Sequence, residues 1–285
     1  MTQLKNIKVW NHKDKRDIWL TLMIGTSRLH WAWFVGEYFQ ESWDTPHASF
    51  SVKEKLANCR TLSDLPEEML PPCWQPFSPA RTCTPTLPAP PIPPLYLASV
   101  VPSQAALWQT YPNIHVVTLD HVPLQGVYPT LGIDRALGLW GAGETWGWPM
   151  LVIDAGTALT LTAANTNRCL VGGAILPGVS LQLKSLAQKA ANLPFVDRDA
   201  ISLPSRWALN TPEAIQSGII YTLVAGMQDF IQAWWQEFPE SYVTLTGGDR
   251  TLLFTHMQLQ FPETAVRVIT DRHLIFWGIR SCKQE

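Results

Sequence analysis

One local pattern occurs twice in the chain, and it constrains the fold more than any other feature of the sequence. An apolar run of strand length at 18–24 leads into Gly25-Thr26, and a second strand-like run follows at 29–35. The same order returns 131 residues later, where residues 150–153 lead into Gly156-Thr157 and another apolar run. Because this offset is close to half of the 285 residues, the pattern predicts two copies of one α/β unit.

Length and composition favour a globular protein of two domains. A chain of 285 residues fits two domains of ordinary size, and 46% apolar with only 15% charged residues excludes a disordered chain. We expect a polar N-terminal extension at 1–16, a first domain at 17–149 and a second at 150–285. An insertion at 71–94 holds ten prolines, which exclude a helix or a central strand there.

The remaining bulk properties exclude several classes of function. A net charge of −2 gives no electrostatic footprint for nucleic acid, and no uninterrupted apolar stretch is long enough to predict a membrane span. The five cysteines are scattered and form no Cys-x-x-Cys pair, so neither a zinc site nor a disulfide framework is indicated. A reducing cytoplasm is the simplest setting for such a chain.

The two Gly-Thr turns suit the binding of phosphate groups. Glycine has no Cβ, so backbone N–H groups can approach phosphate oxygens closely, and the threonine hydroxyl adds a donor. Gly247-Gly248-Asp249 forms a third glycine-rich turn after a predicted strand. The alternative is that these turns are ordinary β-hairpins without a ligand.

Two carboxylates stand at positions where chemistry is plausible. Asp154 ends a predicted buried strand, where a cation at a phosphate site would compensate its charge; the alternative is a turn residue bonded to its own backbone. Asp134 stands at the start of a predicted helix, where it can act as a general base. The alternative there is a capping aspartate paired with Arg135.

A further helix is predicted at 212–238 with Thr211 as its N-cap.

Six short motifs, in order, resemble those of the type III pantothenate kinase family. The resemblance covers most of the chain from about Trp19 to Ile279, except the proline-rich insertion. The motifs are Ser99-Val100-Val101-Pro102, Leu131-Gly132-Ile133-Asp134-Arg135, Asp154-Ala155-Gly156-Thr157-Ala158, Gly172-Gly173-Ala174-Ile175-Leu176-Pro177-Gly178, Asn210-Thr211 with Gln216-Ser217-Gly218, and Thr246-Gly247-Gly248-Asp249.

The resemblance implies both a fold and an activity. The fold would be two duplicated actin- and hexokinase-like (ribonuclease H-like) domains with a cleft between them. The activity would be transfer of the γ-phosphoryl group of ATP to pantothenate, the first step of coenzyme A synthesis, by a homodimer that needs Mg²⁺ and either K⁺ or NH₄⁺.

The resemblance also assigns residues to roles. Asp134 would be the general base toward the pantothenate hydroxyl, and Asp154 would bind the monovalent cation. Residues lining the pantothenate site would be Tyr128, Gly132, Ile133, Asp134, Arg135 and Thr211. Residues at the ATP phosphates would be Met23, Ile24, Gly25, Thr26, Ser27, Arg28, Leu29 and Thr157.

The sequence departs from the family pattern at two positions. Met23 replaces the aspartate usual in the first loop, and a thioether cannot bind Mg²⁺ as a hard oxygen ligand. Thr162 stands where many members carry a second acid. We expect activity to survive, because Asp134, Asp154 and Thr157 remain. Two other functions stay open: a non-catalytic regulatory protein of the same fold, and a kinase for another small hydroxylated metabolite.

Overall fold

The computed structural model describes residues 18–49, 51–61, 64–66, 70, 92–190, 192–201 and 204–283. The predicted extension at 1–16 and residues 71–91 of the proline-rich insertion lie outside these ranges. Both therefore stay predictions.

The chain divides into two compact units, 1–117 and 118–285, and each contains one five-stranded sheet. In the first unit the backbone N–H of Gly25 donates to the carbonyl of Arg28 at 3.0 Å, which closes the hairpin between the first two strands. The elements of this unit are β1 (Ile18–Ile24), β2 (Leu29–Val35), β3 (Tyr38–Thr45), α1 (Val52–Asn58), β4 (Leu95–Ser99), α2 (Pro102–Trp108) and β5 (Ile114–Val116).

The second unit repeats the three-strand meander and surrounds it with longer helices. Its elements are α3 (Ile133–Trp146), β6 (Met150–Ala155), β7 (Ala158–Ala164), β8 (Leu170–Pro177), α4 (Val179–Lys189), α5 (Thr211–Glu237), β9 (Tyr242–Thr246), α6 (Arg250–Gln260), α7 (Pro262–Ala265), β10 (Val268–Thr270) and α8 (Leu274–Ser281). Of the helices in the described ranges, none is long and apolar enough to cross a membrane.

The two sheets have the same topology. The first has the order β3-β2-β1-β4-β5 and the second the order β8-β7-β6-β9-β10. In each, the leading strand pairs antiparallel with the strand after its Gly-Thr turn and parallel with the fourth strand. This agreement confirms the predicted α/β class and the duplication, with the strand order of ribonuclease H-like units. The cleft expected between the units stays a prediction.

Tryptophan packing holds the first sheet together. The ring of Trp31 is 1% exposed, stacks on Trp43 with centroids 5.8 Å apart and meets the edge of Trp108 at 5.0 Å. Because each such ring buries a large apolar area, these contacts tie β2, β3 and α2 into one core.

The structure corrects two local predictions. The sequence at 48–52 also allows a third strand, but Val52 begins α1 and the third strand is β3, which lies earlier in the chain. β3 is poor in apolar residues and has exposed positions, so hydrophobicity does not reveal it. The N-cap of α5 is Asn210 rather than Thr211, because the Asn210 side chain accepts the backbone N–H of Glu213 at 3.0 Å.

The limit between the compact units lies at 117/118, whereas the sequence pattern placed a domain boundary at 149/150. Helix α3 packs against α8 within the second unit. A Cβ on Gly141 of α3 would meet the backbone of Leu274 and Gly278 of α8, so only glycine permits this approach.

Candidate active site

The second Gly-Thr turn follows directly from Asp154, which is half-buried near the end of β6. The backbone N–H of Gly156 donates to the carbonyl of Ala158 at 3.1 Å and fixes the turn. Gly178 donates its N–H to the carbonyl of Thr157 at 3.0 Å, and Thr157 itself is exposed. Thr157 is therefore an accessible residue of the turn that follows Asp154.

The third glycine-rich turn lies against the second. Thr246 is the register partner of Asp154 across the parallel pair of β6 and β9. Gly247 has a φ of +92°, and a Cβ there would lie 2.5 Å from Asp154 Oδ1 and from the backbone of Ala155. The backbone N–H of Asp249 donates to the carbonyl of Ala155 at 2.8 Å. Glycine at 247 therefore permits the two turns to form one backbone cradle beside the Asp154 carboxylate.

Two arginines fix this third turn, and sequence analysis missed both. Arg250 Nη1 donates to the Gly247 carbonyl at 3.0 Å, and Arg198 Nη2 donates to the Gly248 carbonyl at 2.9 Å. Arg198 Nε also donates to the carboxylate of Asp249, which is only 5% exposed. Burial raises the pKa of Asp249 and the Arg198 charge opposes that rise. No motif marks Arg198, which lies 51 positions from its partner.

Asp134 stands in the first turn of α3, which begins at Ile133. Its Oδ1 atom accepts the backbone N–H of Arg135 at 2.8 Å. The carboxylate lies in the space that a Cβ on Gly132 would need, so glycine before the helix keeps that space open. Asp134 is half-buried, so it is not closed off from solvent.

The Arg135 guanidinium is anchored by groups other than Asp134. Nε donates to Thr162 Oγ1 at 2.9 Å, Nη2 to the Leu161 carbonyl at 3.0 Å, and Nη1 to Tyr128 Oη at 3.1 Å. The alternative reading of an Asp134–Arg135 salt bridge is therefore not the geometry found. Thr162 serves as an acceptor that orients this cation.

Gly173 of β8 completes the arginine site. A Cβ at this position would lie 2.6 Å from Arg135 Nη2, so a larger residue would displace the guanidinium. The structure thus brings Tyr128, Arg135 and Asp134 onto neighbouring parts of one unit. Thr211 is exposed at the start of α5, and the hydrogen bonds of the described residues do not join it to this group.

The first Gly-Thr turn differs from the second in its side chains. Met23 is 1% exposed, and the side chains of Ile24 and Leu29 are fully buried. These three residues, predicted to lie at the ATP phosphates, place their side chains in the core. Only residues 25–28 of the predicted loop reach the surface. His47 Nε2 donates to the Gly25 carbonyl at 2.9 Å and braces the turn.

The donor set near Asp154 fits a cation held by few protein ligands. Within the described ranges, no three acidic, histidine or cysteine side chains converge into a metal-binding group. One carboxylate beside backbone turns suits a monovalent cation, or Mg²⁺ that takes its other ligands from nucleotide phosphates and water. The carbonyls of Gly247 and Gly248 each accept an arginine hydrogen bond, and Asp154 is the carboxylate beside Gly247.

Comparison with known proteins places this site in a family. A sequence model described as type III pantothenate kinase matches residues 83–233. A type III pantothenate kinase of a Nostoc species is 53% identical over 264 residues, which span 92% of this chain and 93% of the relative. One from a Synechococcus species is 41% identical over 93% of this chain and 92% of the relative.

Among solved structures, a putative Baf family transcriptional activator from Campylobacter jejuni superimposes with a TM-score of 0.57. It is 17% identical and covers 92% of this chain and 96% of its own, which supports the shared fold. The sequence relatives, matched over nearly their whole length, decide the family. The chain belongs to the type III pantothenate kinases.

Proposed function

We propose that the protein transfers the γ-phosphoryl group of ATP to the primary hydroxyl of pantothenate, giving 4′-phosphopantothenate, the first intermediate of coenzyme A synthesis. The observation that carries this proposal is that a half-buried carboxylate, Asp134, stands next in sequence to an anchored guanidinium, Arg135, at the start of α3. A base beside a fixed cation suits a substrate that has a hydroxyl at one end and a carboxylate at the other.

In this proposal Asp134 accepts the proton of the substrate hydroxyl as its oxygen attacks the γ-phosphorus. The hydrogen bond from the Arg135 backbone holds Oδ1 and thereby orients the carboxylate toward the hydroxyl. Phosphoryl transfer requires little covalent chemistry of the protein, so positioning of this kind supplies much of the rate.

The carboxylate end of pantothenate is assigned to Arg135 and Tyr128. A guanidinium presents a planar set of donors that matches a carboxylate, and hydrogen bonds to Thr162, Leu161 and Tyr128 fix its plane. Gly132 and Ile133 would line the same site, and Thr211 is assigned to it by the family resemblance.

The Gly-Thr turn at Gly156-Thr157 is assigned to the phosphates of ATP, with Thr157 as a donor. The family resemblance separately assigns residues 25–28 of the first turn to ATP. Asp154 would hold a monovalent cation, K⁺ or NH₄⁺, and Mg²⁺ would accompany the nucleotide. When bound, these cations neutralise charge that develops on the transferring phosphoryl group. Gly247 lets the third turn approach Asp154, the proposed ligand of the monovalent cation.

A homodimer in the cytoplasm completes the proposal. Phe195, Trp207 and Leu209, which precede α5, are 66%, 85% and 100% exposed. Apolar side chains this exposed are typical of a surface that another chain covers. They lie in the chain just before Thr211, a residue assigned to the substrate.

The decisive test is the Asp134→Asn variant in an assay of ATP-dependent pantothenate phosphorylation, run in K⁺, NH₄⁺ and Na⁺. We expect the wild type to turn over with Mg²⁺ and K⁺ or NH₄⁺. The variant should lose about 10²- to 10⁴-fold in kcat, the usual contribution of a positioned base. Asp229→Asn on the exposed face of α5 is the matched control and should keep wild-type kcat. Absence of turnover by folded wild-type protein in every salt would refute the proposed activity.

A further inference from the structure

A histidine–aspartate pair, His30 and Asp44, lies beside the first Gly-Thr turn. It is in register with Met23, the residue of β1 that stands where the second turn has an aspartate. Met23 of β1 is the register partner of His30 on β2, and His30 is the partner of Asp44 on β3. Directly opposed residues of antiparallel strands place their side chains on the same face of a sheet. These three side chains therefore form one row across the sheet.

The row changes from buried to accessible along its length. Met23 is 1% exposed, whereas the side chains of His30 and Asp44 are 40% and 48% exposed. His30 Nδ1 lies 2.8 Å from Asp44 Oδ1, a hydrogen-bond distance that fixes the ring. The ionisable groups of this row therefore stand one and two strands away from Met23, where solutes can reach them.

The second ring nitrogen of His30 faces the turn. A Cβ built on Gly25 would lie 3.1 Å from His30 Nε2 and 3.3 Å from Cδ2, so the ring edge lies beside the Gly25 backbone. On another side of the same residue, His47 donates to the Gly25 carbonyl. That bond occupies an acceptor that would otherwise repel an anion near the turn.

We propose that His30, oriented by Asp44, binds a phosphate oxygen of the nucleotide at the first Gly-Thr turn. Asp44 accepts the Nδ1 proton and Nε2 donates to the phosphate, so the ring carries two protons and one positive charge. A charge-assisted hydrogen bond to phosphate is stronger than one between neutral groups. The His30 ring thus places a charge-assisted donor at a turn where Met23 cannot ligate a metal, and the Asp44 carboxylate balances its charge. This inference rests on the proposed function only in that the ligand is ATP.

The test measures nucleotide binding without pantothenate, by calorimetric titration of the full chain with ADP, a non-hydrolysable ATP analogue and adenosine. We expect His30→Leu to weaken binding of the two phosphorylated ligands about ten- to hundredfold. His30→Gln, which retains an amide donor without the charge, should recover part of that loss. Asp44→Asn should weaken binding severalfold, because its neutral amide no longer favours the charged ring.

Adenosine separates a phosphate contact from a structural role. If His30 contacts phosphate, adenosine affinity stays at the wild-type value in every variant. Equal losses for adenosine and ADP would overturn the proposal, as would unchanged ADP affinity in His30→Leu. His115→Gln is the matched control, since His115 lies on β5 and stacks on Tyr96 with centroids 4.8 Å apart. It should bind all three ligands as the wild type does.

The same titrations distinguish failure of this inference from failure of the proposed function. A wild type that binds ADP through His30 but does not phosphorylate pantothenate would refute the proposed substrate and leave the histidine contact supported. If the wild type phosphorylates pantothenate and His30→Leu binds ADP as tightly as the wild type, the proposed function is supported and the histidine contact is refuted. A wild type that binds no nucleotide would refute both.

Discussion

The two Gly-Thr turns occupy equivalent places in sheets of identical topology, yet their surroundings differ in charge. At the second turn the leading strand carries Asp154, half-buried against Gly247. At the corresponding position of the first turn the strand carries Met23, which is 1% exposed, and the ionisable neighbours are His30 and His47. The duplicated backbone therefore repeats the position of a turn, while the side chains around each copy supply different chemistry.

The backbones of the two turns also differ in how closely they are packed. The second turn is supported by a third, in which Gly247 has a φ of +92° and no space for a side chain. The first turn is closed by the bond from Gly25 to Arg28 and braced by His47, and the nearest atoms to a Cβ on Gly25 belong to the partly exposed ring of His30. We infer that the second turn is the more rigid and the less tolerant of substitution.

The largest difference should come from substituting, one at a time, the two equivalent residues that precede the turns, Asp154 and Met23. Asp154→Asn removes the main anionic ligand of the proposed cation and should lower kcat at least 100-fold, since charge stabilisation by a bound cation is worth several kcal/mol. Met23→Leu, at the equivalent position, conserves volume and apolar character and should change kcat less than threefold. Steady-state kinetics across a K⁺ titration measure both. Similar losses in the two variants would remove the functional difference between the turns.

Restoring an acid to the first turn should destabilise the fold. Met23→Asp places a carboxylate in a site with 1% exposure, and we expect a loss of about 3 kcal/mol in the free energy of unfolding. Thr26→Asp, in the exposed part of the same turn, is the control and should unfold within about 0.5 kcal/mol of the wild type. Urea unfolding gives both values. Wild-type stability of Met23→Asp would mean that a cation or solvent reaches this position.

Alanine substitutions compare the packing of the turns directly. Gly247→Ala forces a side chain into a left-handed backbone and against Asp154, and should cost about 2 kcal/mol of unfolding free energy more than Gly25→Ala. Gly226→Ala in α5 meets no atom within 4 Å and should stabilise by up to about 1 kcal/mol. Thermal melts of the three variants rank them. Equal costs at Gly247 and Gly25 would contradict the difference in rigidity.

The smallest effect concerns the arginine that supports the third turn. Burial raises the pKa of Asp249 above its unfolded value, so its ionised form destabilises the fold as pH rises through the folded pKa. Arg198→Met removes the opposing charge and raises that pKa further. The variant should lose about 1 kcal/mol at neutral pH, allowing for the partial exposure of Arg198.

The difference in free energy of unfolding between the wild type and Arg198→Met should become smaller below about pH 4. There the Asp249 carboxyl is protonated in both the folded and the unfolded chain. Arg206→Met is the control, because it removes a cation stacked 4.2 Å from the Tyr221 ring. Its difference in free energy of unfolding from the wild type should not change with pH. Unfolding curves at several pH values test this. A difference for Arg198→Met that stays constant with pH would show that the pKa of Asp249 does not depend on the Arg198 charge.

Strands that are apolar along their whole length could be predicted from the sequence. Amphipathic helices and strands with many polar residues were harder to predict. β1, β2 and β6 matched their predicted positions because their sequences are almost wholly apolar. β3 and α6 were missed: β3 alternates polar residues at exposed positions, and α6 buries only Leu253, His256 and Met257. Weak hydrophobic patterns leave such segments to be decided by the neighbours they pair with.

For the candidate site, the motifs indicated the backbone turns and Asp134 but not the groups that orient them. Thr162 accepts a hydrogen bond from Arg135, Gly173 on the adjacent strand leaves room for the guanidinium, and Arg198 reaches Asp249 from 51 positions away. Their roles depend on the packing of β7, β8 and the segment before α5. Residues in such contacts carry no local signature, because the distance that matters is spatial.

The sequence by itself determined the duplicated α/β units, the glycine-rich turns and the family. Strand runs, glycines and short motifs are local properties, and local backbone preferences act within a few residues of the chain. Only the tertiary structure decided that Met23 is sealed in the core, that His30 and Asp44 stand beside the first turn, and that Gly247 approaches Asp154. Strand register and close packing bring these groups together, and both arise from the balance of burial over the whole unit.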